Sequence, residues 1–136
     1  MHTPAPRASA LRTRLAIYPG TARHITAVRA SLRDLLGDCP IADDVILCAS
    51  ELAANAAIHS NSRLPGAIFT VRATIDPGHS TLIEVQDNGG PWTPAVTDPD
   101  RPHGLDIIRA LASEWGINGD HATRTIWATF NWPDHS

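Results

Sequence analysis

Two polar residues set four apart carry the chemistry this chain advertises. In Glu51-Leu-Ala-Ala-Asn55 a carboxylate and a carboxamide fall on one helical face about one turn apart. Such a pair can serve a metal ion and a nucleophile together. Both sit at the edge of the apolar stripe Val45, Cys48, Ala49, Leu52 and Ala56 rather than opposite it, where a pocket can border the core. A second signal is Asp87, which ends the row Ile83, Val85, Asp87 on one face of an alternating segment. A carboxylate on a core-facing row needs a partner, because burying it alone is expensive. Asn88-Gly89-Gly90 follows at once, and glycine lets a backbone come close to a ligand. The third signal is Gly104, which opens a helix after a proline-rich loop. Free N–H groups and the positive dipole end at such a start favour an anion. Arg101 is the one arginine in residues 91–103, and so the default candidate for an anionic ligand.

The elements that must position these groups are legible from period and punctuation. Residues 1–13 show no period and read as a mobile tail, leaving 14–136 as one domain. Arg14 to Tyr18 reads as a short edge strand ended by Pro19-Gly20. Thr21 can cap a helix to Leu36 with Ile25, Val28, Leu32, Leu35 and Leu36 as its stripe, and Gly37 stops it. Arg23, Arg29 and Arg33 fall on its solvated face. A second helix runs from about Ile41 to Ser60, with Asp43 and Asp44 in its first turn, and places His59 as a packed side chain. Residues 67–87 read as a β-hairpin, with Phe69, Val71, Ala73 and Ile75 on one face and a turn at Asp76-Pro-Gly-His79. The helix from Gly104 carries Leu105, Ile108, Leu111, Ala112 and Trp115 as its stripe. Gly116 to Asn118 forms a short strand. Residues 124–132 alternate as a last strand, with the inward face left open between Ile126, Ala128, Phe130 and Thr125, Trp127, Thr129. Helices on one face of a mostly antiparallel or mixed sheet make a two-layer α/β sandwich.

Composition removes several alternatives. The chain has 136 residues, 43% of them hydrophobic, which suffices for one core. No apolar run reaches the ~18–20 residues of a membrane span, and no signal-peptide core follows the early arginines, so the expectation is a cytoplasmic protein without a membrane partner. All 11 basic residues are arginine, so a P-loop, which needs lysine, is excluded. Net charge of -3 without a basic cluster argues against nucleic acid as a partner. Cys39 and Cys48 are too few for a disulfide framework, and the seven histidines show no zinc-ligand spacing.

Taken in order, these motifs resemble those of the GHKL ATP-binding superfamily with its Bergerat fold. They are most similar to the small bacterial anti-sigma-factor serine/threonine kinases, over roughly residues 14–131. Glu51 to Asn55 resembles the family's N-box, Asp87-Asn-Gly89 its first glycine box, Gly104-Leu105 its second, and Arg124-Thr-Ile-Trp127 its closing strand. The resemblance implies ATP and Mg²⁺ as cofactors. It implies that Asn55 holds the metal, Glu51 orients or deprotonates the attacking hydroxyl, Asp87 accepts from the adenine amino group with Thr125 in support, and Gly89 allows close approach of the base. Gly104, Leu105 and Arg101 would then face phosphate. It further implies a sigma factor and an anti-anti-sigma antagonist as partners, phosphoryl transfer to the antagonist and control of transcription; related kinases are often dimers, and the first strand offers a contact for a homodimer, with the oligomeric state left open. The sequence departs from the pattern at Pro91 and Pro102, where the family often has glycine. Proline removes an N–H and stiffens the loop, which weighs on turnover more than on nucleotide binding and keeps a non-catalytic, nucleotide-dependent binding module as the alternative. A sensor histidine kinase would need an upstream helix pair with a phosphoacceptor, and residues 1–40 offer one helix with His24 alone.

Overall fold

The computed structural model describes residues 11–59, 66–88, 104–119 and 123–133. Gly89, Pro91, Arg101 and Pro102 fall outside them, as does most of the 1–13 tail. Five strands form one sheet: β1 (Arg12–Pro19), β2 (Ile68–Asp76), β3 (Ser80–Asp87), β4 (Glu114–Gly119) and β5 (Arg124–Asn131). Their order is β1-β2-β3-β5-β4, and every neighbouring pair is antiparallel. The sheet was expected to be mostly antiparallel or mixed, and every pair among the described strands is antiparallel. Three helices, α1 (Ile25–Leu36), α2 (Ala42–Ala54) and α3 (Gly104–Leu111), complete the two-layer α/β sandwich.

Strand alternation decides which face meets the helices. Phe69, Val71, Ala73 and Ile75 on β2 are buried, as are Thr81, Ile83, Val85 and Asp87 on β3. On β5 the buried residues are Ile126, Ala128 and Phe130, which settles the face that alternation left open. Phe69 and Phe130 are almost wholly enclosed, each contributing about 2–3 kcal/mol by leaving water. From the helical side come Val28, Leu32 and Leu36 of α1, a long buried run of α2, and Leu105 and Ile108 of α3. The small residues Cys48, Ala49 and Ala53 of α2 are fully covered, which lets this helix lie close to its neighbours.

The hairpin β2–β3 forms as its pattern predicts, with Gly78 at φ 80° and the His79 N–H donating to the Asp76 carbonyl at 2.9 Å. Gly37 ends α1 at φ 52°, its N–H on the Arg33 carbonyl. Four boundaries differ from expectation. The first strand begins at Arg12, because its register with β2 continues to the Arg12–Ile75 pair. Thr21 does not cap α1: a 3₁₀ turn, Ala22–His24, intervenes, and Thr21 accepts the His24 N–H and hydrogen-bonds the His24 ring instead. The third helix stops at Leu111, and Trp115 belongs to β4, where the Ser113 N–H already donates to the Thr129 carbonyl at 2.7 Å. The second helix reaches His59 but changes to a π turn at Asn55–His59.

The arginines of α1 are exposed but engaged. Arg29 Nε donates to Ser50 Oγ at 2.9 Å, and that buried hydroxyl donates on to the Ile46 carbonyl at 2.7 Å. Arg33 pairs with Asp43 at 2.8 Å, and Arg14 ties β1 to α1 through the Ser31 carbonyl and Asp34. Exposed ion pairs of this kind each contribute roughly 0–1 kcal/mol.

Candidate functional site

The helix that carries the Glu51/Asn55 pair is the central one of the three. α2 packs against α1, α3 and β3, and the π turn that continues it also packs on β3. β3 is the strand that ends at Asp87, and α3 is the helix that begins at Gly104. The elements bearing the second and third sequence signals therefore both adjoin α2.

Glu51 is half-buried at the margin of α2. Its carboxylate lies within electrostatic reach of Cys48 one turn earlier. Burial pushes the Cys48 thiol up to about 12, with the negative charges of Asp44 and then Glu51 adding to the effect. The thiol of Cys39 is raised as well, again chiefly by burial. Both cysteines are thus neutral packing groups at physiological pH rather than nucleophiles.

Asn55 stands where the helix changes register. Its backbone N–H points at both the Glu51 and Leu52 carbonyls, and the π turn begins with it. Such turns recur at functional positions, because the extra residue per turn re-aims a side chain. The Asn55 side chain is buried, and its Nδ2 has no hydrogen-bond partner within the described structure. An unmet buried amide costs about 1–3 kcal/mol, so it marks a place where a polar ligand group belongs. The carboxamide can also turn about its last bond and offer oxygen there instead.

Asp87 is only 4% exposed, at the end of the core-facing row of β3. Its Cα partner on β5 is Arg124, and its neighbour Gln86 pairs with Thr125. Because Ile126 and Ala128 alternate inward, Arg124 shares the face of Asp87 and Thr125 does not. Thr125 instead lines a shallow cavity of about 70 Å³ on the open face of the sheet, with Leu15, Thr70, Arg72, Glu84 and Gln86. The structure therefore separates Thr125 from Asp87 by the thickness of the sheet. Sequence reasoning passed over Arg124, which the Asp87 register brings forward. A decision on the inward face of β5 would have exposed it.

At the third signal, Gly104 is the first residue of α3, and Leu105 turns its side chain into the core at 2% exposure. Asp106 occupies the same first turn and tempers the positive end of the dipole. Arg109 of α3 lies 5.7 Å over the Trp115 ring, which fastens this helix to β4. Gly89 and Arg101 lie outside the described residues. No group of three or more His, Cys, Asp or Glu among the described residues is placed to hold a metal ion by itself.

The chain belongs to the family of histidine kinase-like ATPase domains, whose family model matches residues 18–130. It is similar in fold to a crystal structure of the RsbU and RsbW domains of Rv1364c from Mycobacterium tuberculosis, with a TM-score of 0.69 and 22% sequence identity over 91% of this chain. It spans about a third, 34%, of that longer chain. No curated protein sequence matches it. The family implies ATP with Mg²⁺, and the residues present fit that ligand: the buried Asn55 carboxamide, whose Nδ2 has no partner among the described residues, can turn its oxygen toward a metal, and the buried carboxylate of Asp87 can accept from a base.

Proposed function

We propose that this chain binds ATP with Mg²⁺ and transfers phosphate to a serine or threonine of a small anti-anti-sigma antagonist, its other partner being a sigma factor. The observation that carries the reading is the buried carboxamide of Asn55, its nitrogen without a partner among the described residues, at the end of the helix that bears Glu51. Bound Mg²⁺ would be held by the Asn55 oxygen and would neutralise charge on the phosphates. Asp87 would accept from the exocyclic amine of the base, and Glu51 would orient the incoming hydroxyl and take its proton. Gly104 and Leu105 at the start of α3, with Gly89 and Arg101, complete the nucleotide-facing set. No helix among the described residues is long and apolar enough to cross a membrane, and the proposed partners act in the cytoplasm.

Calorimetry of ATP·Mg²⁺ binding to the wild type and to Asp87→Ala tests the pocket. Loss of a charge-assisted hydrogen bond to the base should weaken binding roughly 10–100-fold, and equal affinity would undo the assignment. Glu51→Ala should keep that affinity while transfer from γ-labelled ATP to the antagonist falls ~10²–10⁴-fold. A second reading rests on Pro91 and Pro102: a nucleotide-dependent protein-binding module that transfers nothing. Tight ATP binding with no label transferred by the wild type selects it.

A further inference from the structure

Asp87 is a buried carboxylate that must stay ionised and correctly turned if it is to read a base, and the sheet places a cation directly across from it. Arg124 is its Cα partner on β5. Residues opposite one another on an antiparallel pair hold their Cβ atoms about 4.5–5.5 Å apart, within easy reach of a guanidinium. Arg124 shares the helix-covered face with Ile126 and Ala128, and it is half-buried. On its other flank its Cα partner is Gly119 of β4, which has no side chain. The one side chain directly across a strand pair from Arg124 is therefore that of Asp87.

We infer that Arg124 is a positioning residue for base recognition, holding one oxygen of the Asp87 carboxylate and leaving the other to accept from an exocyclic amine of a purine. The inference rests on the nucleotide reading given above. A carboxylate has about four lone-pair sites on two oxygens, so one guanidinium contact leaves room for the base. The planar fork of arginine also fixes the carboxylate plane, which a mobile ammonium does less well. Selectivity follows from the fixed charge. An ionised, immobile carboxylate accepts from the amine of adenine and repels the carbonyl oxygen that hypoxanthine carries at the same place. Once freed of Arg124, the Asp87 carboxylate can turn away, and the discrimination between amine and carbonyl is lost.

The test compares Mg²⁺ complexes of ATP and inosine triphosphate by calorimetry, for the wild type, Arg124→Ala, Arg124→Gln, Arg124→Lys and Asp87→Asn. Thermal unfolding without nucleotide checks that each variant is folded. Arg124→Ala and Arg124→Gln should bind ATP about tenfold more weakly and lose most of the preference for ATP over inosine triphosphate, while Arg124→Lys restores part of it. A purely structural role would weaken both nucleotides alike and leave their ratio intact. An unchanged ratio in folded Arg124→Ala and Arg124→Gln, with ATP binding lost in Asp87→Asn, overturns this inference alone. Equal ATP binding by the wild type and Asp87→Asn overturns the Asp87 contact and this inference with it, and a wild type that binds neither nucleotide overturns the nucleotide reading.

Discussion

At the scale of single residues, Asn55 is the place where stability and function pull apart. Its side chain is buried, with an amide nitrogen that has no hydrogen-bond partner among the described residues. Replacing it with alanine removes that penalty, so Asn55→Ala should leave the nucleotide-free protein as stable as the wild type or up to about 1 kcal/mol more stable in urea unfolding. The same change should abolish the stabilisation that ATP·Mg²⁺ gives, which for a ligand at 100 times its Kd is about 2.7 kcal/mol. A substitution that destabilises the free protein and leaves the nucleotide effect intact would assign Asn55 a packing role instead. The residue was legible in the sequence because Glu51 and Asn55 border an apolar stripe whose other members are plain. Asp87 was legible for the related reason that a period of two carries a core row straight into a carboxylate. Arg124 was not, because the last strand alternates two residue sets of similar hydrophobicity, and only pairing with β3 decides between them.

At the scale of elements, period reveals existence better than it reveals ends. The long second helix was anticipated over nearly its full run, but its π turn was not. Inserting one residue at the end of a stripe barely alters a 3.6-residue pattern, while it rotates everything beyond it. The end of α3 was misplaced because Trp115 falls in helical phase with Leu111 and Ala112, and hydrogen bonding to β5 overrides that phase. β4 in turn depends on Gly119, which lies at φ 114°, and a Cβ there would meet the Thr123 carbonyl and the Arg124 backbone. Gly119→Ala should therefore cost about 1–3 kcal/mol in chemical denaturation. Because Gly119 is also the register partner of Arg124, the same variant should weaken ATP binding if β4 helps to hold that arginine against Asp87. A neutral Gly119→Ala would mean that the β4–β5 end relaxes without strain.

At the scale of the whole molecule, three helices cover one face of the sheet, and among the described residues none covers the other. The two edges of the sheet are unequal. β4 is short and carries Gly116 and Gly119, whereas β1 runs unbroken for eight residues with proline only at its end. β1 also exposes Leu15 at 53% and Ile17 at 62%, on the open face. Natural edge strands are normally blunted by lysine, proline or a bulge, and β1 keeps a continuous register with β2 without any of these inside it. Of its two arginines, Arg12 stands at the first position, and Arg14 is drawn toward α1 rather than standing guard at the edge. An unprotected edge of this kind fits strand-to-strand pairing with a second copy, which would bring Leu15 and Ile17 of the two chains together and shield them. Sedimentation velocity should then find a homodimer for the wild type and a monomer for Leu15→Glu combined with Ile17→Glu. The core-facing residues of β1 are untouched by those changes, so the melting temperature of the monomer should stay close to that of a wild type diluted below its dimer affinity. A wild type that sediments as a monomer would reject pairing through β1 and leave the open face for a different protein.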